Sequence, residues 1–390
     1  MTSKARRPQR RRRIAIVTAT RAEYGYTRRL MELMRDDPAV DLQLVVSGTH
    51  LLKEFGYTVE LIQRDGFQVR TKVEMIVAGD TPVSHARSVA MGMTGFIQAF
   101  DMLAPDLVVV SGDRGEMLAA VISAAYMNLP IAHIQAGEVS GNIDGITRHA
   151  ISRFAHLLFA ANADAAKRLE RMGEERWRIH ATGAPMLDGV IHDAKLSAEE
   201  LQREIGVDVS KPTVVVMHHA ETLASNGAYH QMVNILEAVR RLRLQSIIIN
   251  PNVDPGSVEI QRAIQERQDA PSSRVFPNLE RRVFLSVLTH AQALVGNSSC
   301  GIIEAPALKL PVVNVGERER GRLRSKNVID VAHGVKPVLQ GLQRALSPAF
   351  RASLRDCESP YGDGRSSERV LRVLKETPLD GRLLDKRLTY

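Results

Sequence analysis

The sequence predicts an α/β protein made of two parallel-sheet units in succession. Three observations lead there. Short β-branched runs are apolar at nearly every position, helical periodicity fills the stretches between them, and the alternation lapses across 184–212 before restarting. Strands apolar on both faces belong to a parallel sheet covered by helices on both sides.

In the first unit the strands are read at 14–19 (IAIVTA), 42–47 (LQLVVS), 107–111 (LVVVS) and 130–134 (PIAHI). Leu118, Val121, Ile122 and Ala125 keep the i, i+3, i+4, i+7 spacing of one helix face, and Met93, Phe96, Ile97 and Phe100 do the same upstream. Pro185, Ser197, Ser210 and Pro212 then bracket a polar, charged stretch read as a linker. The second unit has strands at 213–217 (TVVVM), 246–250 (SIIIN), 292–295 (QALV) and 311–315 (PVVNV). Its helices fall at about 228–243, 257–267, 279–289 and 300–308. Sheets of this kind bind ligands beyond the carboxyl ends of their strands, so two of them facing each other make an interdomain cleft.

Composition narrows the function. A chain of 390 residues holds two to three domains at roughly 150 residues each. With 44% hydrophobic and 25% charged residues the bulk is globular rather than disordered. No apolar run approaches the roughly 18 residues of a membrane span. Cys300 and Cys357 are too few for a disulfide framework or a four-cysteine zinc site. Aromatics at 4% offer little for stacking nucleic-acid bases. The formal charge of +8 is concentrated at one end: residues 1–13 carry seven basic side chains and no acid, and without them 45 basic residues face 44 acidic ones. The arm reads as a solvated, disordered tail on a nearly neutral body. The apolar run Ile14 to Ala19 is too short for a secretory signal, so a cytoplasmic protein is expected.

Polar residues gather at the strand ends. Arg21 follows the first strand at the mouth of a helix, where it serves either a phosphate or a surface salt bridge. No GxGxxG and no GxxxxGK[ST] occurs. Asp113 and Arg114 stand between two glycines after the third strand, and Asp113 fits a site or a helix N-cap equally. The densest cluster is His133 to His149, which includes Glu138, Asp144 and Arg148. Its carboxylates suit acid–base chemistry, and no HExxH or close His/Cys array supports zinc. In the second unit His218, Asn252, Ser298, Ser299 and Arg318 follow strands. Ser298 and Ser299 at a helix start suit a diphosphate or simple capping.

GDRGE at 112–116, HIQAGEVSGNIDGITRH at 133–149, PNVDPGS at 251–257, GNSSCGIIE at 296–304 and YGDGRSSERV at 361–370 resemble the hydrolysing UDP-N-acetylglucosamine 2-epimerases. The likeness runs from about residue 14 to 375. It implies two Rossmann-like domains facing across a cleft, the glycosyltransferase-B fold. An N-terminal domain over 14–190 would carry the acid–base residues, a C-terminal domain over 205–365 would bind UDP, and 366–385 would cross back onto the first. It implies loss of UDP from a 2-acetamido sugar with inversion at carbon 2, through a glycal, giving a free manno-configured sugar. The sugar is N-acetylglucosamine or its 2,4-diacetamido-2,4,6-trideoxy analogue, either one feeding nine-carbon acidic sugars.

Carried over by motif, Asp113, Glu138 and Asp144 are acid–base candidates, and His218 meets the leaving phosphate or the sugar. Arg21, Arg114, Arg148, Asn252, Ser298, Ser299, Glu304 and Arg318 would hold UDP, with Glu304 on the ribose hydroxyls. The resemblance implies no metal or redox cofactor and a homo-oligomer, dimer or tetramer, with neither membrane nor nucleic acid as partner. The chain departs from the pattern at Gln135, where many relatives carry glutamate, at Gly25, and at His218-His219-Ala220, which replaces a His-Pro pair. Two other readings compete: a glycosyltransferase of the same fold, and a nucleic-acid-binding protein using the basic arm.

Overall fold

The computed structural model describes residues 10–79, 81–139, 143–193, 195–221, 227–251, 256–267 and 272–390, without the side chains of 143 and 144. The chain folds into two compact units. Unit 1 comprises Met1–Glu138, Ile146–Met186 and Gly364–Tyr390; unit 2 comprises Val139–Gly145 and Leu187–Asp363.

Among the described residues unit 1 has seven strands: β1 (Arg12–Thr18), β2 (Val40–Ser47), β3 (Val69–Val73), β4 (Leu107–Ser111), β5 (Ile131–Ala136), β6 (Leu157–Ala160) and β7 (Ile179–Ala181). They pair in the order β3-β2-β1-β4-β5-β6-β7. Unit 2 has β8 (Thr213–Met217), β9 (Gln245–Ile249), β10 (Ser273–Phe276), β11 (Ala293–Gly296), β12 (Val312–Val315) and β13 (Val328–Val331), in the order β10-β9-β8-β11-β12-β13. Every pairing is parallel.

Each sheet is buried on both faces, as the apolar strands require. Ala15 and Val17 pack into one layer of the unit 1 core while Ile14 and Ile16 pack into the other. Val214 and Val216 are separated from Val215 in the same way in unit 2. Strand order reverses between β1 and β4 in one sheet and between β8 and β11 in the other. A reversal leaves a crevice at the carboxyl ends of the two strands concerned.

Two expectations about boundaries change. The basic arm does not extend to residue 13, because Arg12 and Arg13 already belong to β1. Arg10 and Arg13 each pair with Asp106, and Arg12 donates to the Thr377 carbonyl at 2.9 Å. Residues 1–9 lie outside the described residues. The stretch read as a linker holds two helices, Met186–His192 and Ala198–Ile205. The second opens on a capping box, Ser197 with Glu200, and closes on left-handed Gly206. Leu201, Val207 and Val209 carry it into the unit 2 core.

The helix Ser366–Glu376 belongs to unit 1, where Val370, Leu371 and Leu374 join Leu30, Met31 and Met34. No described helix is long and apolar enough to cross a membrane.

Candidate active site

In unit 1 the polar residues collect where β1, β4 and β5 end. Thr20 and Glu23 form a capping box that opens the helix Arg21–Asp36, so Arg21 is its first residue. Glu23 Oε2 accepts from the Ala19 and Thr20 amides at 3.0 and 3.1 Å. Burial, with the nearby Glu116 carboxylate adding to it, pushes the Glu23 carboxyl up to about 8, so it is protonated at neutral pH. Arg114 caps the helix Gly115–Tyr126 and faces Glu116 at 3.4 Å.

Asp113 follows β4 after left-handed Gly112, and its carboxylate is gripped by Arg148. Arg148 is buried on the helix Ile143–Phe154 and also donates to the Gln135 carbonyl at 3.0 Å. One guanidinium therefore ties the β4 and β5 ends together. Glu138 is buried and accepts from Asn162 Nδ2 at 2.6 Å. The Asn162 oxygen is committed to the Ala165 amide, so its amide nitrogen faces Glu138. Asp144 begins the same helix as Arg148, but its side chain lies outside the described residues.

Sequence reasoning missed two features here. Gln135 has φ +64° at a register break between β5 and β6, a bulge that re-aims one side chain. Its amide reaches Met186 Sδ at 3.9 Å. His133 is fully buried and burial lowers its pKa to about 3, so the ring is neutral. Nε2 meets the Gly112 carbonyl at 2.7 Å, which can only accept, so Nε2 carries the proton and Nδ1 accepts from Ser152 Oγ at 3.0 Å.

In unit 2 the corresponding reversal lies between β8 and β11. His218 is buried and lowered to about 4, chiefly by burial, so it too is neutral. Its Nε2 meets Gln231 Oε1 at 3.4 Å, and its Nδ1 bonds to no described residue. Gly296 ends β11 at φ +140°, and a Cβ there would stand 1.9 Å from the Met217 carbonyl oxygen. Asn297 then clasps His219 twice, at 2.7 and 2.9 Å. Ser298 caps the short helix Ser299–Ile303 without spending its hydroxyl on a helix amide. Arg318 donates to the Asn297 carbonyl at 3.2 Å and pairs with Glu319 at 2.9 Å. Glu304 is 1% exposed and paired with Arg281 at 2.5 Å. Asn252 lies outside the described residues.

His333 was not read from the sequence because it follows β13, a strand that was not read either. It pairs with Glu221 at 3.3 Å and stacks edge-on to His218 with ring centroids 6.2 Å apart. Its Nδ1, like that of His218, is buried and bonds to no described residue. Imidazole nitrogens, serine hydroxyls and a guanidinium at one strand reversal suit a phosphate-bearing ligand. Fixed carboxylates at the other suit proton transfer.

The family model described as UDP-N-acetylglucosamine 2-epimerase matches residues 32–375 of this chain. A UDP-N,N'-diacetylbacillosamine 2-epimerase (hydrolyzing) of Legionella pneumophila is 37% identical over 380 residues, covering 97% of this chain and 100% of that protein. A GDP/UDP-N,N'-diacetylbacillosamine 2-epimerase (hydrolyzing) of Campylobacter jejuni is 31% identical, covering 95% and 97%. The crystal structure of UDP-GlcNAc 2-epimerase from Neisseria meningitidis bound to UDP-GlcNAc matches with a TM-score of 0.81 at 16% identity, covering 94% and 100%. That last likeness speaks for the fold.

Proposed function

The chain belongs to the UDP-N-acetylglucosamine 2-epimerase family, and on that premise we propose that its substrate is UDP-2,4-diacetamido-2,4,6-trideoxyglucose, the UDP-N,N'-diacetylbacillosamine of two relatives. The protein is an enzyme, a hydrolysing 2-epimerase acting on a UDP-sugar. UDP-N-acetylglucosamine remains the competing substrate, since a Neisseria meningitidis relative of that name is 32% identical over 93% of this chain. The glycosyltransferase and nucleic-acid readings are not favoured, because full-length relatives are named hydrolysing epimerases.

In the reaction a base takes the proton from carbon 2 while the bond from carbon 1 to the diphosphate oxygen breaks. UDP departs and a glycal forms. Water then adds at carbon 1 as a proton returns to carbon 2 from the opposite face. The roles we assign follow the two strand reversals. Asp113, Glu138 and Asp144 move protons, since the Gln135 amide cannot act as a carboxylate base. Arg21, Arg114 and Arg148 set positive charge beside the departing diphosphate, where it gains value as the leaving group becomes anionic. In unit 2, His218, Asn252, Ser298, Ser299 and Arg318 hold the nucleotide. Glu304 meets the ribose once Arg281 shares it.

The observation that carries this reading is the pair of buried or half-buried carboxylates at the β4 and β5 ends, Asp113 fixed by Arg148 and Glu138 by Asn162. We further place the enzyme in the cytoplasm, as a homo-oligomer, in a route to nine-carbon acidic sugars. A 29% identical Escherichia coli relative named polysialic acid biosynthesis protein P7 supports the last point. The test is turnover of both UDP-sugars in heavy water, followed by NMR. Free manno-configured sugar with deuterium at carbon 2 is expected, faster from the diacetamido substrate; unlabelled gluco-configured sugar would reduce the enzyme to a hydrolase.

A further inference from the structure

The segment Gly381–Tyr390 lies in unit 1 and is anchored on both sides of Lys386. The fully buried Arg178 donates to the carbonyls of Leu383 at 2.7 Å, Asp385 at 2.9 Å and Arg382 at 3.2 Å. Beyond Lys386, the Thr389 amide donates to the Gly173 carbonyl at 3.2 Å. Between these anchors the Lys386 side chain is 10% exposed. Its ammonium donates to the carbonyls of Ser152, Arg153 and Ala155 at 2.9, 2.8 and 2.7 Å, and pairs with the buried Glu174 at 2.7 Å. Ser152 and Arg153 stand in the last turn of the helix Ile143–Phe154, whose carbonyls have no partner within the helix and gather negative charge. Lys386 is thus a cap supplied from far along the chain.

The capped helix grips the strand ends at two levels. Arg148 holds the Asp113 carboxylate and the Gln135 carbonyl. One turn on, Ser152 bonds His133, and His133 bonds the carbonyl of Gly112, the residue before Asp113. We propose that Lys386 is a positioning residue for proton transfer at Asp113, fixing this helix and, through Arg148 and the Ser152–His133–Gly112 chain, the turn that carries the carboxylate. The proposal rests on the reading of Asp113 as an acid–base group.

Other titratable groups face the ammonium. Glu174 lies after the helix Ala163–Arg171, Arg153 lies on the capped helix and grips Glu174, and Arg178 lies in the neighbouring turn. The rings of His133, on β5, and His156, just beyond the capped helix and lowered to about 4 by burial, are neutral. Asp385 and Arg387 flank it and pair with each other. Burial lowers Lys386 to about 8 against the opposing pull of Glu174. The cap therefore weakens as pH rises through that value, whereas an arginine would stay charged.

The experiment uses full-length Lys386→Met and Lys386→Arg, read by steady-state UDP release, UDP titration and amide hydrogen exchange. For Lys386→Met we expect kcat to fall tenfold or more with KM and UDP affinity within twofold. Exchange should quicken in 147–155 and 112–116 and stay unchanged in β8 and β11. Wild-type kcat should decline above a pH of about 8 and that of Lys386→Arg should not. A kcat within twofold for Lys386→Met, unchanged exchange in the helix, or a rise in KM with a loss of UDP affinity alongside the fall in kcat would each overturn the proposal. Should Lys386→Met fail to fold, Ser152→Ala breaks the chain one step later: lowered kcat with unchanged helix exchange supports the proposal, and wild-type kcat refutes it. Asp113→Asn with wild-type kcat would instead remove the acid–base assignment while leaving the exchange result intact.

Discussion

Replacing Gly296 with alanine tests whether the β8–β11 reversal holds the nucleotide. Gly296 has φ +140°, a backbone that side-chain-bearing residues avoid, at a strain of about 1–3 kcal/mol. The added Cβ would lie 1.9 Å from the Met217 carbonyl oxygen, 2.5 Å from its carbon and 3.1 Å from the His218 amide nitrogen. These are backbone atoms, so the end of β8 must move by about an ångström, an overpacking of about 1–3 kcal/mol. Unit 2 should lose about 2–6 kcal/mol in total, or roughly 5–20 °C in Tm. The same shift strains both Asn297–His219 hydrogen bonds and displaces His218, so UDP affinity should fall tenfold or more. The assays are thermal unfolding and calorimetric titration with UDP. Gly206→Ala is the control, having φ +68° and no atom within 4 Å of the added Cβ, so it carries strain without overlap. If Gly296→Ala binds UDP like the wild type while Tm falls, the diphosphate is not held at this reversal. If Tm is also unchanged, the close approach itself is refuted.

Asp113→Asn should lower kcat by about 10²–10⁴, the usual worth of a general acid or base, while UDP titration gives the wild-type affinity. Loss of UDP affinity would make the Asp113–Arg148 pair a structural clasp instead. Because the Glu23 carboxyl is raised to about 8 by burial, the folded chain holds a proton there that the unfolded chain releases near pH 4.5. Its contribution is complete at low pH and is lost as pH climbs toward 8, so Glu23→Gln should gain stability on the wild type between pH 5 and 8 in chemical denaturation, by at most a few kcal/mol. A pH-independent difference would refute the shift. Arg281→Met leaves Glu304 buried without its guanidinium and should cost about 3–5 kcal/mol, with Glu304→Gln added to it recovering most of the loss. An additive double variant, measured by the same unfolding assay, would show that the two do not act as a pair.

The eight strands read from the sequence are all interior to their sheets, where burial on both faces makes most positions apolar. The strands that escaped reading lack that signature. β3 (VRTKV) alternates, β7 has three residues, and β10 and β13 are four-residue edge strands containing Arg274 or Asp330. β6 is fully buried, yet LLFA follows the helix Ile143–Phe154 after only Ala155 and His156, so no turn residue announced it. The site shows the same division. Asp113 and Arg148 lie 35 positions apart: Asp113 was legible because it follows a strand beside glycines and Arg148 because it lies in the dense polar cluster 133–149, but nothing in the sequence paired the two. His333 was hidden behind an unread edge strand. The left-handed backbone of Gln135 was hidden because a single non-glycine residue at positive φ leaves no mark in the sequence.

Val370, Leu371, Leu374 and Leu383 complete the hydrophobic layer that Ile14, Ile16 and Leu30 begin. During translation, then, the strands of unit 1 must wait for residues 370–383 to leave the ribosome before that layer can close. The second unit, whose described strands all fall between Thr213 and Val331, needs no such delay and is free to fold earlier. Nascent chains stalled before residue 370 would display the uncovered face of unit 1 to the chaperones that attend them.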